Sequence, residues 1–116
     1  MLLFTFDRSA GHHVDRFGSD FTLSPLTDPQ GVARAVCMYL GPGGVVGRHE
    51  TRLGQLFCVI EGEGWVSGDD GEAVAISRGQ AAYWAKGEVH GAGTETGLTA
   101  VVLEGDAFSV GARPLP

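Results

Sequence analysis

The stretch Gly43-Gly44-Val45-Val46-Gly47-Arg48-His49-Glu50-Thr51-Arg52-Leu53-Gly54-Gln55-Leu56-Phe57-Cys58-Val59-Ile60-Glu61-Gly62 carries two apolar runs separated by glycine. Both runs, Val45 to His49 and Gln55 to Ile60, favour strands by their branched and aromatic side chains. A helix laid across them would enclose Gly47 and Gly54, each costing about 1 kcal/mol relative to alanine. Alternate side chains on a strand share a face, so His49 goes with Thr51, while Arg48 and Glu50 face the other way. By the same rule Gln55 goes with Phe57 and Val59, which sets one polar group above an apolar floor.

The same reading extends outward. Glycine and proline together make up 19 + 5 = 24 of 116 residues, and the longest stretch free of both is the ten residues Met1 to Ala10. Helices of ordinary length are thereby excluded. Further strands are expected at 2–6, 33–40, 65–67, 73–76, 80–84, 89–90 and 98–103, spaced about every nine residues as in an all-β sandwich or barrel. Gly68-Asp69-Asp70-Gly71 has the chemistry of a hairpin turn. Ser9 to Gln30 is irregular, with turn signals at Ser24-Pro25 and Asp28-Pro29, and is read as a wrap that pads the barrel or reaches a partner subunit. The chain is thus one domain: an N-terminal strand and wrap (1–32), a barrel (33–106) and a C-terminal tail (107–116).

Eight Lys+Arg against 14 Asp+Glu leave 8 − 14 = −6, and Lys86 is the only lysine. That balance disfavours nucleic acid and anionic membrane as partners. No apolar run approaches the length of a membrane span. Met1-Leu2-Leu3-Phe4-Thr5-Phe6-Asp7 lacks the basic flank and cleavage site of a signal peptide, so a cytoplasmic location is expected. Cys37 and Cys58 both lie in apolar stretches and are read as reduced core residues.

The quoted stretch resembles the first motif of the cupin superfamily, in which glycine, five residues, His, one residue, His, three or four residues, Glu, six residues and glycine follow in order. Gly43, His49 and Gly62 fall in register, whereas Thr51 stands at the second His and Gln55 at the Glu. Gly79 to Thr94 is similar to the second motif: Gly79, Gly87 and His90 match, while Ala85 and Thr94 stand for its Pro and Asn. The resemblance implies a double-stranded β-helix, the jelly-roll barrel, with His49, Thr51, Gln55 and His90 turned into its mouth.

Metal enzymes of that superfamily typically hold their ion with three His and one Glu, so the departures weigh on function. His49, Gln55 and His90 remain as candidate ligands for a divalent transition metal (zinc, nickel, iron or manganese), but all three are neutral, and such a metal is expected to be weakly held or absent. Glu88 could add a carboxylate, although its turn favours exposure, and His12-His13 could fold over the mouth or remain solvated loop residues. Tyr83 and Trp84 alternate faces, so one lines the cavity and the other packs outside. Tyr83 is counted with His49, Thr51, Gln55 and His90 among the ligand-contacting candidates. Arg52 could reach an anionic ligand. The leading expectation is a barrel that binds a small organic molecule. The alternatives are a metal-dependent enzyme of the dioxygenase or isomerase class using His49, Gln55 and His90, and an interaction protein. The resemblance, with the apolar strand at Leu2 to Phe6, also suggests a homodimer.

Overall fold

A computed structural model of the chain describes residues 1–15, 20–27, 34–106 and 109–116. The strands are β1 (Leu2–Thr5), β2 (His12–Val14), β3 (Phe21–Leu23), β4 (Arg34–Leu40), β5 (Val45–Glu50), β6 (Gly54–Ser67), β7 (Val74–Ser77), β8 (Gln80–Trp84), β9 (Val89–Gly93), β10 (Leu98–Gly105) and β11 (Arg113–Pro114), with a short 3-10 turn at Arg8–Ala10. The all-β expectation holds. Asp28-Pro29 and Ala33 lie outside the described residues. No helix among the described residues is long and apolar enough to cross a membrane.

Where the sequence suggests two strands broken at Gly62 and Gly64, the chain forms one strand of 14 residues, β6. The glycines bend the strand instead of ending it. Gly62 has φ +84°, and the register against β10 slips between Thr99 and Ala100, so β6 carries a bulge where it turns from one sheet into the other. Its first half pairs with β8 and β10, and its second half with β7 and β9. The order on one side is β11-β1-β8-β6-β10-β4, and on the other β7-β6-β9-β5, all antiparallel. The histidines on β5 and β9 are therefore carried by the sheet opposite to the one that carries the start of β6.

Between the sheets lies a core of Phe57, Val59, Val66, Ile76, Trp84, Leu98, Val102 and alanines, with Val36, Met38, Leu40 and Val46 packed against it. The outer face of the first sheet buries a second cluster, Phe4, Leu56, Cys58, Ala81 and Ala112, under Phe6, Leu26, Tyr83, Val101, Leu103 and Val110. Two apolar faces explain why Leu56 to Val59 is uninterrupted in sequence and buried throughout. Part of the segment read as a wrap, at Leu26 and Thr27, does pad the barrel, Thr27 bridging to Val110.

Cys58 is buried as expected and its thiol is pushed up to about 12 by that burial, but Cys37 is exposed. On β4 the odd positions Ala35, Cys37 and Tyr39 face outward and the even ones face the core, so an apolar stretch was mistaken for a two-sided one.

The bend of β6 demands close backbone approach. A Cβ on Gly64 would stand 2.1 Å from the Gly93 carbonyl oxygen, whereas one on Gly47 would meet nothing within 4 Å. Gly64→Ala is expected to cost about 1–3 kcal/mol by overpacking, and Gly47→Ala to stay within about 0.5 kcal/mol, as read from urea unfolding midpoints.

Candidate functional site

The β5/β9 ladder sets His49 directly opposite His90. Their Nε2 atoms stand 3.3 Å apart, with the rings edge to face at 4.6 Å. A carbonyl can only accept, so the 2.7 Å contact of His49 Nδ1 with the Gly47 oxygen places a proton on Nδ1 and leaves the lone pair on Nε2. It follows that His90 Nε2–H donates to His49 Nε2. The pair is satisfied by one shared proton while both rings are neutral.

His90 is buried at 4% exposure and packs edge-on against the Trp84 indole, centroids 4.5 Å apart. Trp84 is itself held by its Nε1–H donating to the Ser67 carbonyl at 3.0 Å. Burial, and then the neighbouring His49, hold the His90 imidazole down at about 4, with Glu88 and Glu104 opposing weakly.

Across the barrel, Gln55 on β6 lies between Trp84 on β8 and Glu104 on β10. Its Nε2 donates to Glu104 Oε1 at 3.0 Å. An ionised carboxylate only accepts, so Glu104 dictates which way the amide points and leaves Gln55 its carbonyl oxygen and its second N–H. Glu104 Oε2 faces Arg34 Nε at 3.7 Å, beyond hydrogen-bond distance.

These groups form a collar between two cavities. The inner one, about 160 Å³, is walled by Met38, Val46, Phe57, Trp84 and Ala92 beneath His49, His90, Gln55 and Glu104. The outer one, about 380 Å³, adds Arg34, Glu50, Arg52 and Leu53 to His49, Gln55 and Glu104. Sequence reasoning missed Glu104 and turned Glu50 away, yet both stand here. A signal for Glu104 existed: the inward alternation Ala100, Val102 reaches Glu104 if β10 is continued one residue past Leu103.

Four candidates, Thr51, Tyr83, Glu88 and the His12-His13 pair, lie elsewhere. Thr51 is buried with its hydroxyl donating to the Ala85 carbonyl at 2.8 Å and its amide to the Glu88 carbonyl, so it ties the end of β5 to the turn before β9 and lines neither cavity. Strand β5 ends at Glu50, which is why the alternation that paired Thr51 with His49 fails. Tyr83 belongs to the second cluster, because the alternation of β8 gives the cavity to Trp84. Glu88 is half-buried, bonded to the Ala85 amide and paired with the Met1 amino group. The His12-His13 pair sits on the separate two-stranded β2/β3 sheet, where His13 contacts Asp20 at 2.7 Å.

The spacing of the two Nε2 atoms would suit one ion bound at about 2.0–2.1 Å from each, and Gly47 holds His49 in the ligating tautomer. The third donor is a neutral amide, however, and the nearby carboxylate is engaged by Gln55 and faces Arg34. Among the described residues no group of three or more His, Cys, Asp or Glu is placed to hold a metal ion. The donor set does not fit a tightly held divalent ion.

The family model described as "Cupin domain" matches residues 36–110. A predicted oxalate decarboxylase from Thermotoga maritima is similar in structure, with 19% identity, TM-score 0.60, and 92% of this chain and 100% of that one covered. An RmlC-like cupin from Shewanella frigidimarina has 22% identity and TM-score 0.59 over 92% and 96% of the two chains. A Streptococcus pyogenes protein of unknown function has 17% identity and TM-score 0.59 over 70% and 71%. These likenesses show the double-stranded β-helix fold. A comparison with curated proteins returned no match.

Since His90 resists protonation in the fold, the unfolded chain binds more protons between about pH 6.5 and 4, and stability must fall with falling pH across that window. Unfolding midpoints in urea at pH 7, 5.5 and 4.5 should decline in the wild type, and His90→Gln should show a shallower decline.

Proposed function

The chain belongs to the cupin family, and from that premise we propose that it binds a small organic molecule in the mouth of its barrel without a tightly held metal ion. The observation that carries this reading is the inner cavity, an apolar chamber of about 160 Å³ under a collar of convergent polar groups. Few polar groups above apolar walls are what a small-molecule site requires, since the walls supply burial and the collar fixes orientation. A dry apolar cavity of roughly 150 Å³ holds a benzene ring, so the chamber suits a compact apolar or aromatic portion of the ligand, with its polar end at the collar.

The chain's own residues divide the work. Phe57 and Trp84, edge to face at 6.0 Å, wall the chamber, while the His49–His90 pair roofs it and the Gln55–Glu104 pair stands opposite. A second reading, a metal-dependent enzyme of the dioxygenase or isomerase class, is favoured by the 3.3 Å spacing of the imidazole nitrogens and the fixed His49 tautomer.

The two readings separate on metal content: untagged protein purified without chelator should hold well under one equivalent of zinc, nickel, iron or manganese, and a stoichiometric metal would select the enzyme. Calorimetric titration of chelator-treated protein with benzyl alcohol should show saturable binding. Val46→Phe, which fills the chamber from a half-buried position, should weaken that binding by at least about tenfold with little change in melting temperature.

A replacement series tests the donor set directly. Gln55→Glu should raise zinc affinity by about tenfold or more by adding charge beside the imidazoles. Thr51→His should leave it unchanged, because that side chain faces Ala85.

A further inference from the structure

The collar has a polarity of its own. Neutral His49 spends its Nδ1–H on the Gly47 carbonyl, and neutral His90 spends its single N–H on His49, so neither ring has a donor left for a ligand. The Gln55 amide spends one N–H on Glu104 and keeps its second N–H and its carbonyl oxygen. Glu104 is an acceptor on both oxygens, and among the described residues Oε2 faces the Arg34 guanidinium, 66% exposed and 3.7 Å away. Among the described residues no Lys or Arg lines the inner cavity. Apart from the second Gln55 N–H, the groups bordering the chamber therefore offer acceptors, with the Glu104 carboxylate as the charged one.

We propose that this site selects a small organic ammonium, its hydrocarbon part in the inner chamber and its N–H donors on Glu104 and the Gln55 carbonyl oxygen, in preference to a carboxylate of the same shape. The proposal rests on the pocket reading above and goes further in naming the ligand's chemistry. Glu104 lies at the junction of the two cavities, where a cation can reach its carboxylate while the attached apolar group is buried below. Arg34 is the cation that faces this carboxylate, and Arg52 lines the outer cavity with it. The Arg34 contact is long and solvated, so a ligand that brings its own positive charge into hydrogen-bond distance replaces it at little cost. A carboxylate would instead face Glu104 and two imidazoles with no proton to give.

Three probes sharing one ring decide the matter: benzylammonium, benzyl alcohol and benzoate, titrated calorimetrically at pH 7.5 into chelator-treated protein. Benzylammonium should bind about tenfold or more tightly than benzyl alcohol, with benzoate weakest. Glu104→Gln keeps an acceptor for Gln55 and should abolish the ammonium preference, read as the ratio of benzylammonium to benzyl alcohol affinity in the same variant. Arg34→Ala, at an exposed position, should strengthen benzylammonium binding severalfold. Benzoate binding as tightly as benzylammonium, or a preference that survives Glu104→Gln, would overturn the proposal while the pocket reading stood. Failure of all three probes to bind would overturn both.

Discussion

The barrel depends on one close approach of backbone to backbone, where β6 leaves one sheet and enters the other. At Gly62 and Gly64 the strand passes so near Gly97 and Gly93 that a Cβ on either would fall about 2 Å from a carbonyl oxygen. Everything on the two sides is placed by that crossing. Its N-terminal half brings Gln55 beside Trp84 and Glu104, and its C-terminal half holds β9, which in turn brings His90 to His49. Gly93 also lets the Trp65 indole lie flat over the backbone, its ring atoms 2.4–2.7 Å from where a Cβ would sit. Side chains at these glycines would push the sheets apart and open the collar.

The site follows from pairing polar groups at the rim of the core, where His90 is buried and His49 exposed. A buried polar atom without a partner is costly, and here His90 has His49 as its partner while Gln55 donates to Glu104. The arrangement also shows why the altered cupin motif need not collapse the fold. Thr51, at a position that carries a metal ligand in the superfamily, has turned to the Ala85 carbonyl and become a fastening for the turn that precedes β9.

Much of the fold was legible because glycine spacing and two-residue alternation are local properties. They yielded most of the barrel's strand positions and the shared face of Gln55, Phe57 and Val59. The meeting of His49 and His90 at the mouth was implied by the resemblance to the cupin motifs, and the strands His12–Val14, Phe21–Leu23 and Arg113–Pro114 were not foreseen. What glycine spacing and alternation did not yield depends on partners distant in sequence. Alternation cannot say whether a glycine bends or ends a strand, so β6 was divided. It assigns faces but not what covers them, so Cys37 was given a buried place and Tyr83 a view of the cavity. Glu104 was overlooked because a carboxylate next to Gly105 reads as the polar end of a strand, although it keeps the phase of Ala100 and Val102.

The apolar cover on both sides of β6 has a dynamic consequence. Leu56 and Cys58 are sealed by the N- and C-terminal segments, and Phe57 and Val59 by the opposite sheet. Loosening either layer alone still leaves the other roofing the strand. The amide hydrogens of this segment are then released to deuterium only when both layers part, which makes β6 and its partners the slowest-breathing unit, while the mouth residues at the strand ends can fluctuate without disturbing it.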